Sequence, residues 1–300
     1  MVKVRFWTDA RWANIALMKL ARYHRDRGHD IGFHAPVFDC DSDILYCSKL
    51  FRFTADYEYQ VARNIVKGGT GYDVKGKLPE DIDSILDLDY SIYPDCDYSM
   101  QFFSRGCIRK CPFCVVREKE GRIHPVIPMN LNPHGKRIHV LDNNFFANPE
   151  WREAGRVLKS YGQPVDFSSG IDIRLFDEEQ AIFLNELRLF KQVHIAWDNP
   201  RQRIDKKIQQ AIKCIKPYKL MCYVLIGYWS TPEEDLYRVE RLRELGVAPF
   251  VMAFDRTNRY QRDFQRWCNH KAIFGSVPWN EYNKKRVGPK DVESSQLELF

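Results

Sequence analysis

Nowhere in its 300 residues does the chain hold about 18 consecutive apolar side chains, the run a helix needs to cross a bilayer. Its start, Met1-Val2-Lys3-Val4-Arg5-Phe6-Trp7, lacks the apolar core of a secretory signal. The expectation is a cytoplasmic protein with no membrane partner. Blocks of like charge are also missing: 46 Lys and Arg are interspersed with 40 Asp and Glu, for a net charge of +6. That balance permits nucleic acid as a partner without indicating it. Phosphate-binding loops are wanting too. Gly68-Gly69-Thr70-Gly71-Tyr72 has neither the lysine and hydroxyl of a P-loop nor the full spacing of a dinucleotide fingerprint, so it reads as a sharp turn. What is present is 44% apolar and 14% aromatic content, enough to bury the core of one large α/β domain or two smaller ones.

Nine cysteines occur, three of them within Ser104-Arg105-Gly106-Cys107-Ile108-Arg109-Lys110-Cys111-Pro112-Phe113-Cys114. A chain with such a cluster suits a reducing compartment better than a disulfide framework. One loop with these gaps can point three sulfurs at a single centre, and thiolates are the ligands of zinc, copper(I) and iron–sulfur clusters. Structural zinc closes a tetrahedron with four ligands. No fourth cysteine stands nearby; Cys214 is far along the chain, though His124 or His134 could complete a zinc site. A cluster iron without a protein ligand would instead stay open to a small molecule.

Cys107-x3-Cys111-x2-Cys114, with aromatic Phe113 before the last cysteine, resembles the signature of the radical S-adenosylmethionine superfamily. The resemblance implies that the three cysteines hold a [4Fe–4S] cluster whose fourth iron chelates the amino and carboxylate groups of S-adenosylmethionine. It implies reductive cleavage to methionine and a 5′-deoxyadenosyl radical, which takes a hydrogen atom from an unidentified substrate. A reductant such as flavodoxin or ferredoxin would be a partner. The competing class is a zinc-stabilised nucleic-acid-binding protein without chemistry.

Val2 to Phe6 reads as a buried strand and Asn14 to Arg27 as a helix stopped by Gly28; Asp30 to His34 and Ile44 to Phe51 supply further strands. Residues 1–98 are thus expected to form a small Rossmann-like βαβ domain, with the Asp- and Pro-rich stretch Leu78 to Cys96 as the linker. The arrangement resembles the N-terminal domain of the cobalamin-dependent branch of the superfamily. The Asp-x-His-x-x-Gly that ligates cobalamin there is absent, so a degenerate domain without cobalamin is expected. Cys40, Cys47 and Cys96 do not match the spacing of the second cluster in methylthiotransferases; a lone cysteine in an apolar strand is usually a small buried hydrophobe.

From Ser99 onward strands and helices alternate. The strands are expected at Met100 to Ser104, Arg137 to Leu141, Val165 to Ile173, Val193 to Trp197, Leu220 to Ile226 and Pro249 to Phe254. Between them Ile204, Ile208, Ala211, Ile212 and Ile215 share a helical face, and Pro232-Glu233-Glu234-Asp235 opens a helix. Alternation of this kind argues for a parallel sheet. Six units match the superfamily's partial (β/α)6 TIM-like barrel, expected over 99–270 with 271–300 as an extension.

Sites in parallel sheets gather at the carboxyl ends of strands. By resemblance, Asp142 and Asn143 are candidates for the amino group of S-adenosylmethionine, Arg174 for its carboxylate, and Ser168 or Asp172 for the ribose. Gly227, opening Gly227-Tyr228-Trp229, resembles the segment near the adenine ring. Asp198 and Asp255 are candidates for the substrate side. The plain readings of these residues are turns, caps, core and a salt bridge of Arg174 with Asp177 or Glu178.

The tail Glu293-Ser294-Ser295-Gln296-Leu297-Glu298-Leu299-Phe300 resembles the peptides by which bacterial proteins dock on the replication sliding clamp. An extended segment could place Leu297, Leu299 and Phe300 in an apolar groove while Gln296 fixes register. The alternative is a tail folded back on its own domain.

Overall fold

In a computed structural model of the chain, residues 1–282 are described. They are mixed α/β, and the three sheets of more than two strands are parallel throughout. The chain divides into two compact units, residues 1–175 with 183–191, and residues 176–182 with 192 onward. The docking segment expected at Gln296, Leu297, Leu299 and Phe300 lies outside the described residues. Among the described residues no helix is long and apolar enough to cross a membrane.

The first unit begins with β1 (Lys3–Thr8), β2 (Asp30–Phe33), β3 (Ile44–Ser48) and β4 (Asn64–Gly68), in sheet order β2-β1-β3-β4. Val4, Phe6 and Leu45 are fully buried in these strands. The crossover helix Ile15–Arg25 lays Leu17, Leu20 and Ala21 against Val4 and Phe6. It starts at Asn14, whose side-chain oxygen accepts from the amides of Ala16 and Leu17 and so satisfies two donors the helix cannot. β4 was not foreseen, because Asn64–Gly68 is an exposed edge strand without the apolar run that marks a buried one. The stretch expected as a linker is packed: Ile82, Leu88 and Tyr90 are buried, with Ile82 closing the core beneath the first sheet. Its Asp and Pro residues make the turns, while its spaced apolar residues do the packing.

The same unit continues with β5 (Ser99–Gln101), β6 (Ser104–Arg105), β7 (His124–Pro125), β8 (Ile138–Val140) and β9 (Val165–Asp166). β5, β8 and β9 form a parallel sheet in that order. β6 and β7 form a separate antiparallel ribbon, Arg105 opposite His124. The first expected strand therefore breaks in two at Phe102, and the third ends at Asp166, followed by a 3-10 turn at Ile173–Leu175.

The second unit holds β10 (Val193–Ala196), β11 (Leu220–Ile226) and β12 (Ala248–Ala253), also a parallel sheet in sequence order. Six strands thus stand near the six expected positions, as two three-stranded sheets. The helix Pro232–Glu244 starts in a capping box: Thr231 accepts from the Glu234 amide, and the Glu234 carboxylate accepts from the Thr231 amide. Arg238 from this helix is fully buried. It donates to the carbonyls of Trp197, Asp198 and Leu225 and pairs with Asp235 at 2.6 Å, tying the ends of β10 and β11 together.

Candidate active site

The three clustered cysteines lie on the loop that leaves β6 and returns at β7. The loop is closed at its neck by the ribbon and by a tight approach at Gly106. Gly106 has φ of +80°, and a Cβ there would meet the Arg122 carbonyl oxygen at 2.5 Å, so only glycine lets the two arms come together. Cys107 and Cys111 are half-buried and Cys114 is exposed; Phe113 is half-buried beside it. Two turn bonds shape the loop: the Arg109 amide points at the Cys107 sulfur at 3.3 Å, and the Cys114 amide donates to the Cys111 carbonyl at 3.0 Å.

Beneath the loop, each strand of the β5-β8-β9 sheet delivers a phenylalanine just beyond its carboxyl end. Phe145 packs edge-on against both Phe103 and Phe167, at 6.0 and 5.4 Å between ring centroids. All three rings are buried, so the segments that carry the polar groups of the site leave from a dry aromatic cluster.

Those polar groups hold the loop from three directions. Asp142, 1% exposed, accepts from the Phe103 amide at 2.8 Å and the Ser104 hydroxyl at 2.5 Å, anchoring the segment that enters the loop. Burial pushes its carboxyl up to about 6, against the pull of those donors. Glu120, at the far side of the loop, accepts from Arg105, from the Gly106 amide and from the Asn143 side chain, at 2.8, 2.9 and 2.8 Å. Its burial favours the neutral acid, but the charge and hydrogen bond of Arg105 outweigh this and hold it below the usual carboxylate range. Asp172 accepts from Arg109 Nε at 2.7 Å and Arg174 Nε at 2.6 Å. Burial opposes ionisation there too, and the two guanidinium groups overcome it, so this carboxyl is also held low.

Asn144 joins these groups. Its amide nitrogen lies 3.4 Å from Asp172 and 4.0 Å from the Cys107 sulfur, while its buried Oδ1 has no hydrogen-bond partner among the described residues. A buried amide oxygen without a partner costs free energy and marks a place for a donor from outside the protein.

Of the residues singled out in the sequence, Cys107, Asn143, Asp172 and Arg174 are thus connected through Glu120, Arg109 and Asn144, and Asp142 holds the strand beneath them. Arg174 pairs with Asp172 at 2.6 Å. The Ser168 hydroxyl lies 2.8 Å from His139 Nε2. Gly227 belongs to the second unit, at the end of β11. It too has a positive φ, +79°, and a Cβ there would run into the side chain of Gln261. Asp255 is exposed and accepts from the amide and hydroxyl of Thr257. Arg109, Glu120 and Asn144 escaped sequence reasoning. Only Asn144, which directly follows Asp142 and Asn143, carried a signal.

Among the described residues no three or more His, Cys, Asp or Glu side chains are gathered in the geometry of a bound ion. The donor chemistry nevertheless fits a thiophilic centre: three thiols on one loop, with an unpartnered buried amide oxygen beside the first. Of the remaining cysteines, Cys47 is buried in β3 and its thiol is pushed up to about 11 by burial, the behaviour of a core residue. No family model matches the chain, and no curated protein matches it.

Proposed function

We propose that the chain is a radical S-adenosylmethionine enzyme, with Cys107, Cys111 and Cys114 holding a [4Fe–4S] cluster. The observation that carries this reading is the placement of all three thiols on one constricted loop at the carboxyl ends of a parallel sheet, where such folds collect their sites. When bound, such a cluster supplies the electron for reductive cleavage of S-adenosylmethionine. The two three-stranded sheets would then be the halves of a partial (β/α)6 barrel, preceded by a degenerate Rossmann-like domain without cobalamin.

This chain's own residues have definable tasks in that reading. Gly106 and the Glu120 carboxylate hold the neck of the loop, so the three sulfurs are offered from a fixed base. Arg109 and Asp172 tie the middle of the loop to the segment after β9. Asn144 presents an amide oxygen that can accept from an ammonium group, a task sequence reasoning gave to Asp142 and Asn143. Asp142 accepts from Phe103 and Ser104, and Asn143 donates through its amide nitrogen to Glu120, so its oxygen can share the task with Asn144. Arg174 pairs with Asp172 and helps keep it ionised, and a guanidinium of this kind suits the carboxylate of S-adenosylmethionine by type. A reductant of the flavodoxin or ferredoxin type would supply the electron.

The test is iron and sulfide analysis of anaerobically prepared protein and of its Cys107→Ala/Cys111→Ala/Cys114→Ala variant, with an assay for 5′-deoxyadenosine release. The parent is expected to carry about four irons and sulfides per chain and to release 5′-deoxyadenosine, and the variant to do neither. A full cluster in the variant, or zinc in the parent, would end the reading.

A further inference from the structure

A second edge of a parallel sheet carries features unrelated to the cysteine loop. At the carboxyl ends of β1 and β3 the chain builds a ladder of rings: Trp12 packs edge-on against Phe51 at 5.9 Å between centroids, and Phe51 stacks with Phe53 at 5.2 Å. The ladder climbs from the sheet edge into solvent, and Phe53 at its end is 72% exposed. Each outer rung has a cation beside it in the chain, Arg11 before Trp12 and Arg52 between Phe51 and Phe53. Both arginines are exposed, and neither forms an ion pair among the described residues.

The loop that carries the ladder is firmly held. Asp9, just past β1, accepts from the amides of Leu50 and Phe51 at 2.7 and 3.0 Å, so its charge is spent on orienting the loop. Lys49 bonds through its backbone to Gly68 and Gly71, and its buried ammonium pairs with Asp56 at 2.8 Å. A second set of rings runs alongside in sequence: Trp7 stacks on Tyr57 at 4.9 Å, Tyr57 meets Tyr59, and Tyr59 is 55% exposed. The exposed rings thus stand on a loop that is held by several bonds.

We infer that the Trp12–Phe51–Phe53 ladder with Arg11 and Arg52 is a binding platform for single-stranded nucleic acid. Every base has a π-face, so a ring projecting into solvent can stack on an unpaired base regardless of sequence, while neighbouring guanidinium groups meet the phosphates. Duplex hides those faces. An acidic peptide would satisfy the arginines and leave the rings exposed, so the pairing of rings with cations favours nucleic acid. The platform is joined to the cysteine loop within the same unit: Thr70, in the glycine turn after β4, accepts from Lys119, which lies on the loop's short helix. If the proposed chemistry of that loop holds, and the inference rests on that reading only here, the bound strand is the class from which the substrate comes.

Binding can be read without any chemistry, so failure of the platform and failure of the cluster are distinguishable. The full chain, with its iron content measured on the same sample, is titrated by fluorescence anisotropy against labelled single strands of about 16 nucleotides, in DNA and in RNA, and against the DNA duplex. Single strands are expected to bind more tightly than duplex. Phe53→Ala should weaken binding about tenfold. Arg11→Ala/Arg52→Ala should flatten the dependence of log affinity on log salt by about 1.4, two phosphates at the single-strand slope. Phe53 and the arginines are exposed, so unchanged thermal midpoints are expected, and Tyr218→Ala, an exposed tyrosine of the other unit, should leave binding as it was. No measurable binding at low salt, equal affinity for duplex, or affinity indifferent to Phe53→Ala would each overturn the platform. So would concentration-dependent self-association that the same substitutions abolish while no strand binds.

Discussion

Arg109, midway between Cys107 and Cys111, places its Nε 2.7 Å from Asp172 Oδ2, a carboxylate brought in from beyond β9. The Asp172 side chain is 6% exposed and the Arg109 side chain 34%, so the pair stands between a buried and a surface ion pair. The pair fixes the cysteine loop at its middle, in addition to the contacts at its neck and on its short helix. Solvent screening at the arginine lowers the interaction, and a double-mutant cycle with Arg109→Met and Asp172→Asn is expected to give a coupling of about 1 kcal/mol. Urea unfolding of the four proteins measures it. A coupling indistinguishable from zero would mean that the contact contributes nothing to holding the loop.

Gly106→Ala should be the most damaging single-methyl change in the loop. The positive φ and the approach of the Arg122 carbonyl act together, and strain of this kind costs on the order of 1–3 kcal/mol. Gly121→Ala is the control: its φ is also positive, at +77°, but no atom lies within 4 Å of the added Cβ. A thermal midpoint for Gly106→Ala no lower than that of Gly121→Ala would remove the close approach from the account.

His24 governs the acid side of the first sheet. Burial, with His29 and Arg27 nearby, lowers its imidazole to about 4. Its two nitrogens lie 2.8 Å from His29 Nδ1 and 3.1 Å from the Tyr46 hydroxyl. The neutral form is favoured in the folded state, so between about 6.5 and 4 the unfolded chain takes up a proton that the folded chain refuses. Stability should therefore be full above pH 6.5 and fall as pH drops through that window. His24→Gln, which does not titrate, should narrow the gap between urea midpoints at pH 7 and pH 5. A gap of unchanged size in the variant would show that the acid sensitivity arises elsewhere.

In the second unit, Asp235→Ala leaves Arg238 buried with its backbone acceptors but without its counter-ion. Arg238 is 0% and Asp235 1% exposed, and removing one member of such a pair costs roughly 3–5 kcal/mol. Asp235 also accepts from Ser230 and Tyr260, which adds to the loss. Chemical denaturation of parent and variant measures this; a change below about 1 kcal/mol would contradict the role assigned to the pair.

Local patterns made much of this molecule legible. The alternation of apolar strands with helical faces places the six strands of the two three-stranded sheets, because burial on both faces demands continuous apolar runs. The Pro232 helix start is legible too, since it is decided within four residues. The Cys107, Cys111 and Cys114 spacing stands out for the same reason: gaps of three and two are a property of one loop. What the sequence by itself determined is thus the set of elements and the chemistry of their most unusual loop. Partners distant in the chain were decided by the tertiary structure alone. Asp142 meets Phe103 across 39 positions, Arg109 meets Asp172 across 63, and Asn143 meets Glu120 across 23. A side chain's hydrogen-bonding capacity is read from its type, but which donors exhaust it depends on where other strands end. That is why Asp142 and Asn143 also hold the loop, and why the Asn144 oxygen has no hydrogen-bond partner among the described residues.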